Sequence, residues 1–433
     1  MIYSKHKNLI LLISFFLPFT YIIGIAITEF FVMLMILLFL IVNRNIQIYK
    51  NKFFIFFLLI SFYFSINSIF QIYDNDLRIS SIFHFRFALF SLSIFFLIEY
   101  STSDTSKSKK ILLGIFMILI LLILDSFLQF LSGKNIFGFE IKNDRVSGIF
   151  DDELILGSFL LKVFPLTIWL IYFSNFEISK YKNLLIIFFS MYIITVYLSG
   201  ERTSLFLIFL ATILFMFYLH NLRTILLKSF LIFLLFVMST FITNFGKSDP
   251  FNRIFIKTFN QITNNFYTKK DIQLDKKDLG DLTKDLKQNI QIFSTDHNGH
   301  YLLAYYLFKQ APIFGKGPEG FRYYCRKVEY NSKIGICSTH PHNIFMQLLS
   351  ETGLIGIFFY LFGLIFVIFS LLKIYKKNIN LKNKYNFYIV SIAIIVNFFP
   401  LLPSGNFFNN WISIISYYYI GIYIYSYRKV IFK

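Results

Sequence analysis

The sequence predicts an all-α, polytopic membrane protein with about twelve transmembrane helices and one large helical loop outside the bilayer. Three observations carry that prediction. The chain of 433 residues is 56% hydrophobic and 21% aromatic, with a mean hydropathy of +0.63; a soluble domain of that length needs more polar surface. Apolar runs near the roughly 20 residues that span a bilayer recur from end to end. Lysines and arginines concentrate in every second loop, the pattern that sets membrane orientation.

The spans fall near 8–26, 27–43, 53–72, 79–98, 111–131, 153–174, 183–199, 203–219, 225–245, 354–373, 385–403 and 409–427. Lys5 and Lys7 precede the first. Arg44, Lys50 and Lys52 follow the second, Lys107, Lys109 and Lys110 the fourth, Lys180 and Lys182 the sixth, Arg223 and Lys228 the eighth. Lys376, Lys377, Lys382 and Lys384 follow the tenth, and Arg428, Lys429 and Lys433 end the chain. All of these share one side, which places both termini in the cytoplasm. The first apolar stretch lacks a small-residue cleavage site and runs straight into a second span, so it reads as a retained helix. The net charge of +19 is dispersed among the cytoplasmic loops, where it faces anionic membrane lipid, and part of it reflects a Lys- and Asn-rich composition. That dispersal argues against nucleic-acid binding.

The same alternation places 132–152, the turn around Ser199–Arg202 and the long polar insert 246–341 outside the cytoplasm. Within the insert, Leu279, Leu282, Leu286 and Ile290 recur at helical spacing, which predicts an amphipathic helix over 267–290. His300 to Gln310 reads as a second helix, ended by Pro312. PIFGKGPEGFR (312–322) follows, with glycines that permit tight turns and exposed amides. Cys325 and Cys337 are the two cysteines of the chain. On an oxidising face they read as a disulfide, worth about 3 kcal/mol in loop-closure entropy. A zinc site from Cys325, Cys337, His340 and His342 matches no standard ligand spacing.

Three segments carry chemistry. In HPHN (340–343), Pro341 suits the first helical position, with Ser338, Thr339 or His340 as cap and His342 in the first turn. The positive end of a helix lowers an imidazole pKa, so His342 should be neutral and able to accept a proton. A helix cap or an interfacial polar residue is the plainer account of His342, and an interfacial anchor that of Glu351. In SGERTS (199–204), Arg202 opens the next span. A cation there is unfavourable unless an anion answers it; a bound diphosphate would do so, as would Glu201, Asp152 or Glu153. In RVSGIFDDELILGS (145–158), Arg145 is external, and Asp151, Asp152 and Glu153 suit the start of a helix. Inside the spans, His84, Arg86, Asp125 and Lys162 are costly groups that need partners. Lys162 with Asp125 would make an ion pair, structural or on a substrate path.

Together these motifs resemble the bacterial O-antigen ligase / Wzy polymerase family. PIFGKGPEGF (312–321) followed by HPHNIFMQLLSETGLIG (340–356) matches its long loop and exit. SGERTS matches its short arginine-bearing turn, and RVSGIFDDE its earlier external loop. The resemblance implies a GT-C-like membrane glycosyltransferase, inverting and metal-independent, that needs no cofactor. It implies the bacterial inner membrane, with the site on the periplasmic face. The donor would be a glycan on undecaprenyl diphosphate, and the acceptor lipid A–core (ligase) or another lipid-linked glycan (polymerase). Arg202 would hold the diphosphate, and His342 would orient or deprotonate the acceptor hydroxyl. His340, Asn343, Glu351 and Arg145 would complete the substrate site. The family's second arginine is replaced by His300; Arg322, Arg326 or Lys316 could supply that contact. The implied organisation is 1–245 (nine spans), 246–341 (periplasmic loop domain) and 342–433 (three spans with a helix leading in). A transporter is the alternative of another class, but the chain shows no internal repeat or pair of matching broken helices.

Overall fold

The computed structural model describes residues 12–43, 50, 52–70, 79–101, 105–243, 245–267, 295–327 and 337–431. The amphipathic helix expected over 267–290 lies outside them apart from Tyr267. Among the described residues the fold is helical, with two isolated β-bridges, Lys134–Glu140 and Lys142–Arg145, in the 132–152 loop. In chain order, after a 3-10 turn at Leu17–Ile22, the main helices are α1 (Ile25–Val42), α2 (Lys52–Phe70), α3 (Arg86–Ser101), α4 (Thr105–Ser132), α5 (Leu156–Phe173), α6 (Lys182–Leu198), α7 (Arg202–Tyr218) and α8 (His220–Thr243). They continue as α9 (Lys257–Tyr267), α10 (Thr295–Gln310), α11 (Gly320–Lys327), α12 (Ile344–Tyr375), α13 (Leu381–Asn397) and α14 (Asn410–Ile431).

Among the described residues, five stretches are long and apolar enough to cross a membrane: Lys52–Phe70, Lys107–Ser132, Leu156–Phe173, His220–Thr243 and Ile344–Tyr375. Shorter apolar helices occupy Leu12–Ile22, Ile25–Ile41, Lys182–Leu198 and Arg202–Tyr218. The described residues therefore have the helical make-up of a polytopic membrane protein. The fourth expected span is interrupted by a 3-10 turn at Phe83–Phe85, and α3 begins only after it.

The helices sort into inner and outer. α5 is apolar on every side, and only Ser158 and Lys162 are partly exposed; such a helix belongs in a core. α13 and α14 are buried along most of their length beside it. The outer helices each keep an apolar stripe outward, as Leu235 and Ile242 of α8 show at 71% and 70% exposure. α14 packs closely along α3 because Gly421 faces it: a Cβ there would lie 2.5 Å from the Ser91 carbonyl oxygen. Small residues at such crossings are what let membrane helices approach.

The core also shows how the fold tolerates Pro165 inside α5. Proline removes a backbone donor and opens the ladder around it. The Tyr419 hydroxyl fills that gap, accepting from the Leu166 amide at 3.1 Å and donating to the Lys162 carbonyl at 2.5 Å. The ammonium of Lys162 donates to Asn397 Oδ1 at 3.1 Å. The expected Lys162–Asp125 pair does not form. Asp125 instead accepts from the Ile136 amide (2.9 Å) and Asn135 (3.3 Å), and so ties down the loop after α4. Arg86 pairs with Glu29 at 2.9 Å and donates to Asn410 at 3.1 Å.

Candidate functional site

The HPHN segment folds around Asn343. Its side chain accepts from the Met346 amide at 3.0 Å, and it is the N-cap of α12. Its Nδ2 donates to the carbonyls of Pro400 (3.0 Å) and Leu402 (3.2 Å). The helix thus starts at Ile344, three residues later than Pro341 suggested. A carboxamide that reaches the orphan amide of the first turn outcompetes the preference for proline at the first position. His342 therefore stands before the cap, with φ of +57°. A non-glycine residue there costs on the order of 1–3 kcal/mol, the kind of strain held where a side chain must point a set way. Its carbonyl accepts from the Ser404 amide at 2.8 Å, which pins the turn to the α13–α14 loop.

That turn gathers imidazoles. The His342 ring lies 4.2 Å from His340, 5.3 Å from His300 and 5.6 Å from His297, centroid to centroid. Ser338 Oγ is 2.9 Å from His342 Nε2. His340 Nε2 faces the Ser404 carbonyl at 3.3 Å and its Nδ1 faces Thr339 Oγ1 at 3.0 Å. A carbonyl can only accept, so Nε2 of His340 carries the hydrogen. Burial lowers the His342 pKa to about 3, and the neighbouring His340, His300 and His297 push the same way. Burial likewise lowers His340 to about 4. The neutral state expected of His342 is thus set by enclosure and by neighbouring rings.

The glycine-rich loop packs under this cluster through α12. Gly353 kinks α12 with φ of +63°. A Cβ there would fall 2.4 Å from the Ile313 carbonyl oxygen, and one at Gly315 would fall 2.4 Å from the Glu351 carbonyl carbon. Only two facing glycines let the backbones interlock so closely. Backbone bonds from Lys316 to Ser350 (2.9 Å) and from Leu354 to Pro312 (2.9 Å) close the joint. Glu351 is fully buried within it. Its carboxylate accepts from the Phe321 amide at 3.1 Å and from Gln347 at 2.9 Å, and Gln347 continues to Asn406 at 2.7 Å and to the Phe407 amide at 2.8 Å. The structure thus places Glu351 behind the site, where it holds the loop. Lys316 extends over the Tyr324 ring. Arg322 is half-buried, and its Nε has no hydrogen-bond partner among the described residues. Cys325 and Cys337 are joined in a disulfide with Cα atoms 5.7 Å apart. It staples α11 to the segment leading into His340, beside a buried cluster that includes Leu303, Ala304, Leu307, Phe321 and Cys325.

The second group surrounds Gly200. Arg145 pairs with Glu201 at 3.2 Å and donates to the carbonyls of Ser199 (3.1 Å) and Leu154. Glu201 also accepts from the Gly157 amide and from Ser204, both at 2.9 Å. Burial raises the Glu201 pKa, while Arg145 and these donors oppose it. Arg202 donates to the Arg253 carbonyl (2.9 Å and 3.2 Å) and to Gln261 at 2.5 Å. Arg253 donates to the carbonyls of Gly200 (3.2 Å) and Asn143 (2.9 Å). Among the described residues, neither Arg202 nor Arg253 lies within ion-pair distance of a carboxylate. The acids proposed for Arg202 are engaged elsewhere: Glu201 on Arg145, Asp152 on Lys142, Glu153 on the Tyr21 hydroxyl at 3.4 Å.

Two contact paths put the groups at one end of the bundle. Phe206, one turn beyond Arg202, has its ring 6.4 Å from Phe399, and the next residue, Pro400, binds Asn343. Gly157 binds Glu201, and nearby Phe159 stacks on Trp411 at 5.8 Å, where the loop that pins His342 runs into α14. Two members of these groups escaped the sequence reading. His297 sits one turn before His300, and the spacing DHNGH could have revealed it. Arg253 lies in an irregular turn after α8, where no periodic pattern marks it.

No curated protein matches the chain. Residues 186–361, from within α6 through the arginine turn, the long loop and the histidine cluster into α12, match the family model described as O-Antigen ligase (Wzy_C). Both candidate groups lie largely inside that stretch, and it is over these residues that the chain is similar to the O-antigen ligase family.

Proposed function

We propose that this protein is an O-antigen ligase of the bacterial inner membrane, transferring a glycan from undecaprenyl diphosphate to lipid A–core on the periplasmic face. On this reading the chain crosses the membrane twelve times with both termini in the cytoplasm. Residues 1–245 form the first nine crossings, 246–341 the periplasmic loop domain and 342–433 the last three. The observation that carries the reading is the strained turn that presents neutral His342 at the same end of the bundle as Arg202 and Arg253. A neutral imidazole removes the proton of an attacking hydroxyl. Arginines with no carboxylate within ion-pair distance among the described residues stabilise the departing diphosphate. One displacement at the anomeric carbon forms the new glycosidic bond as the bond to diphosphate breaks, which inverts configuration and requires no metal. Arg322, with its enclosed Nε, is the second phosphate contact in place of the arginine that His300 replaces.

The acceptor is tested by deleting the gene and separating lipopolysaccharide on a gel. A ligase predicts core without O-antigen, with lipid-linked polymer accumulating. Core that carries a single repeat would make the protein a polymerase, and unchanged lipopolysaccharide would remove the assignment.

A further inference from the structure

A cavity of about 750 Å³ lies between α2, α12 and α14, away from both groups described above. Its walls are aromatic and aliphatic: Phe56 and Phe359 are 5.9 Å apart, and Phe366 and Tyr427 are 5.8 Å apart. One end reaches Leu348 and Phe407, beneath the histidine turn. The other end is cationic, with Lys50, Lys52 and Arg428. Glu99 pairs with Arg428 at 2.8 Å and with Lys429 at 3.9 Å, so among the described residues lining that end the positive charge exceeds the negative. Basic pockets between membrane helices on the cytoplasmic side suit acidic lipid headgroups.

We propose that this groove is a binding site for one diacyl glycerophospholipid with an anionic headgroup. The phosphate lies at Lys50 and Lys52, and the acyl chains run between α2 and α12 toward Leu348. Charge placement selects this occupant. A polyprenyl diphosphate bound for reaction has its phosphates at the His342 end, whereas the groove's cations stand at the opposite end. An apolar partner helix would leave those cations unanswered. Gly363 lines the middle of the groove, and a Cβ added there meets nothing closer than Phe56 at 3.9 Å, so the space it faces is open to a chain. The inference rests on the membrane location of the bundle and, in setting aside the prenyl lipid, on the proposed reaction site at His342.

The test is native mass spectrometry of the purified full chain offered phosphatidylglycerol or phosphatidylcholine of the same acyl composition. The wild type should retain phosphatidylglycerol preferentially. K50Q/K52Q should weaken that binding by about 20- to 30-fold, near five-fold for each cation removed, with phosphatidylcholine binding unchanged. Gly363→Phe should reduce retention of both lipids, because it fills the channel rather than the head site. Equal retention of the two lipids by the wild type would overturn the proposal, as would undisturbed phosphatidylglycerol binding by K50Q/K52Q. Retention of undecaprenyl phosphate that falls in K50Q/K52Q while that of phosphatidylglycerol does not would assign the groove to the prenyl lipid instead.

Discussion

His342→Ala should lower glycan transfer by about 10²- to 10⁴-fold, the usual worth of a general base, and leave membrane insertion and the Cys325–Cys337 disulfide intact. The ring takes no part in capping α12, which Asn343 performs, so its loss leaves the helix start in place. The pH dependence follows from the burial of the ring. An ordinary imidazole would lose its basic form as pH falls through about 6.5, but His342 in the fold holds off its proton down to about 3. With free protein, kcat/KM should therefore stay flat from pH 8 to about 5.5. A bound diphosphate places negative charge near the ring and raises its pKa. The acid limb of kcat should accordingly lie at higher pH than that of kcat/KM. A limb near 6.5 in kcat/KM that survives in His342→Ala would show that another group titrates.

Arg202→Ala should reduce kcat by about 10²- to 10³-fold, comparable to removing one preorganised donor from a developing anion. Arg202→Lys should recover only a small part, because a lysine keeps the charge but not the planar fork that grips a phosphate. The arginine also anchors the turn after α8 through Arg253 and Gln261. Gln261→Ala removes part of that anchoring and keeps the guanidinium, so it should leave kcat near wild type. If Gln261→Ala and Arg202→Ala fall together, Arg202 acts on the fold rather than on the leaving group.

The sequence disclosed the parts of this protein that depend on local pattern. Apolar runs marked the helices. The strings around Arg202, Gly315 and His342 pointed to the segments that the structure brings to one end of the bundle. What remained hidden depends on tertiary contact. Pro341 looked like a helix start because proline favours that position in isolation. The Asn343 side chain overrode it by binding Met346 on one side and the Pro400 and Leu402 carbonyls on the other. Glu351 looked like an interfacial acid, yet the interlocked glycines at 315 and 353 enclose it. Arg202 called for an anion, but the carboxylate beside it in sequence, Glu201, is held by Arg145 and the Gly157 amide. Lys162 called for an acid and found an amide, Asn397, because Asp125 is used to cap a loop. In each case residue type was informative about the need for a partner, and the fold decided which partner answered.

The most direct measurement is a structure of the full chain in a lipid nanodisc with an undecaprenyl-diphosphate-linked glycan bound. The account predicts the diphosphate within hydrogen-bond distance of the Arg202 guanidinium, with the anomeric carbon open to attack from the side of His342. A diphosphate seated at the Lys50 and Arg428 end, or packed protein standing between Arg202 and His342 with the donor bound to neither, would contradict it.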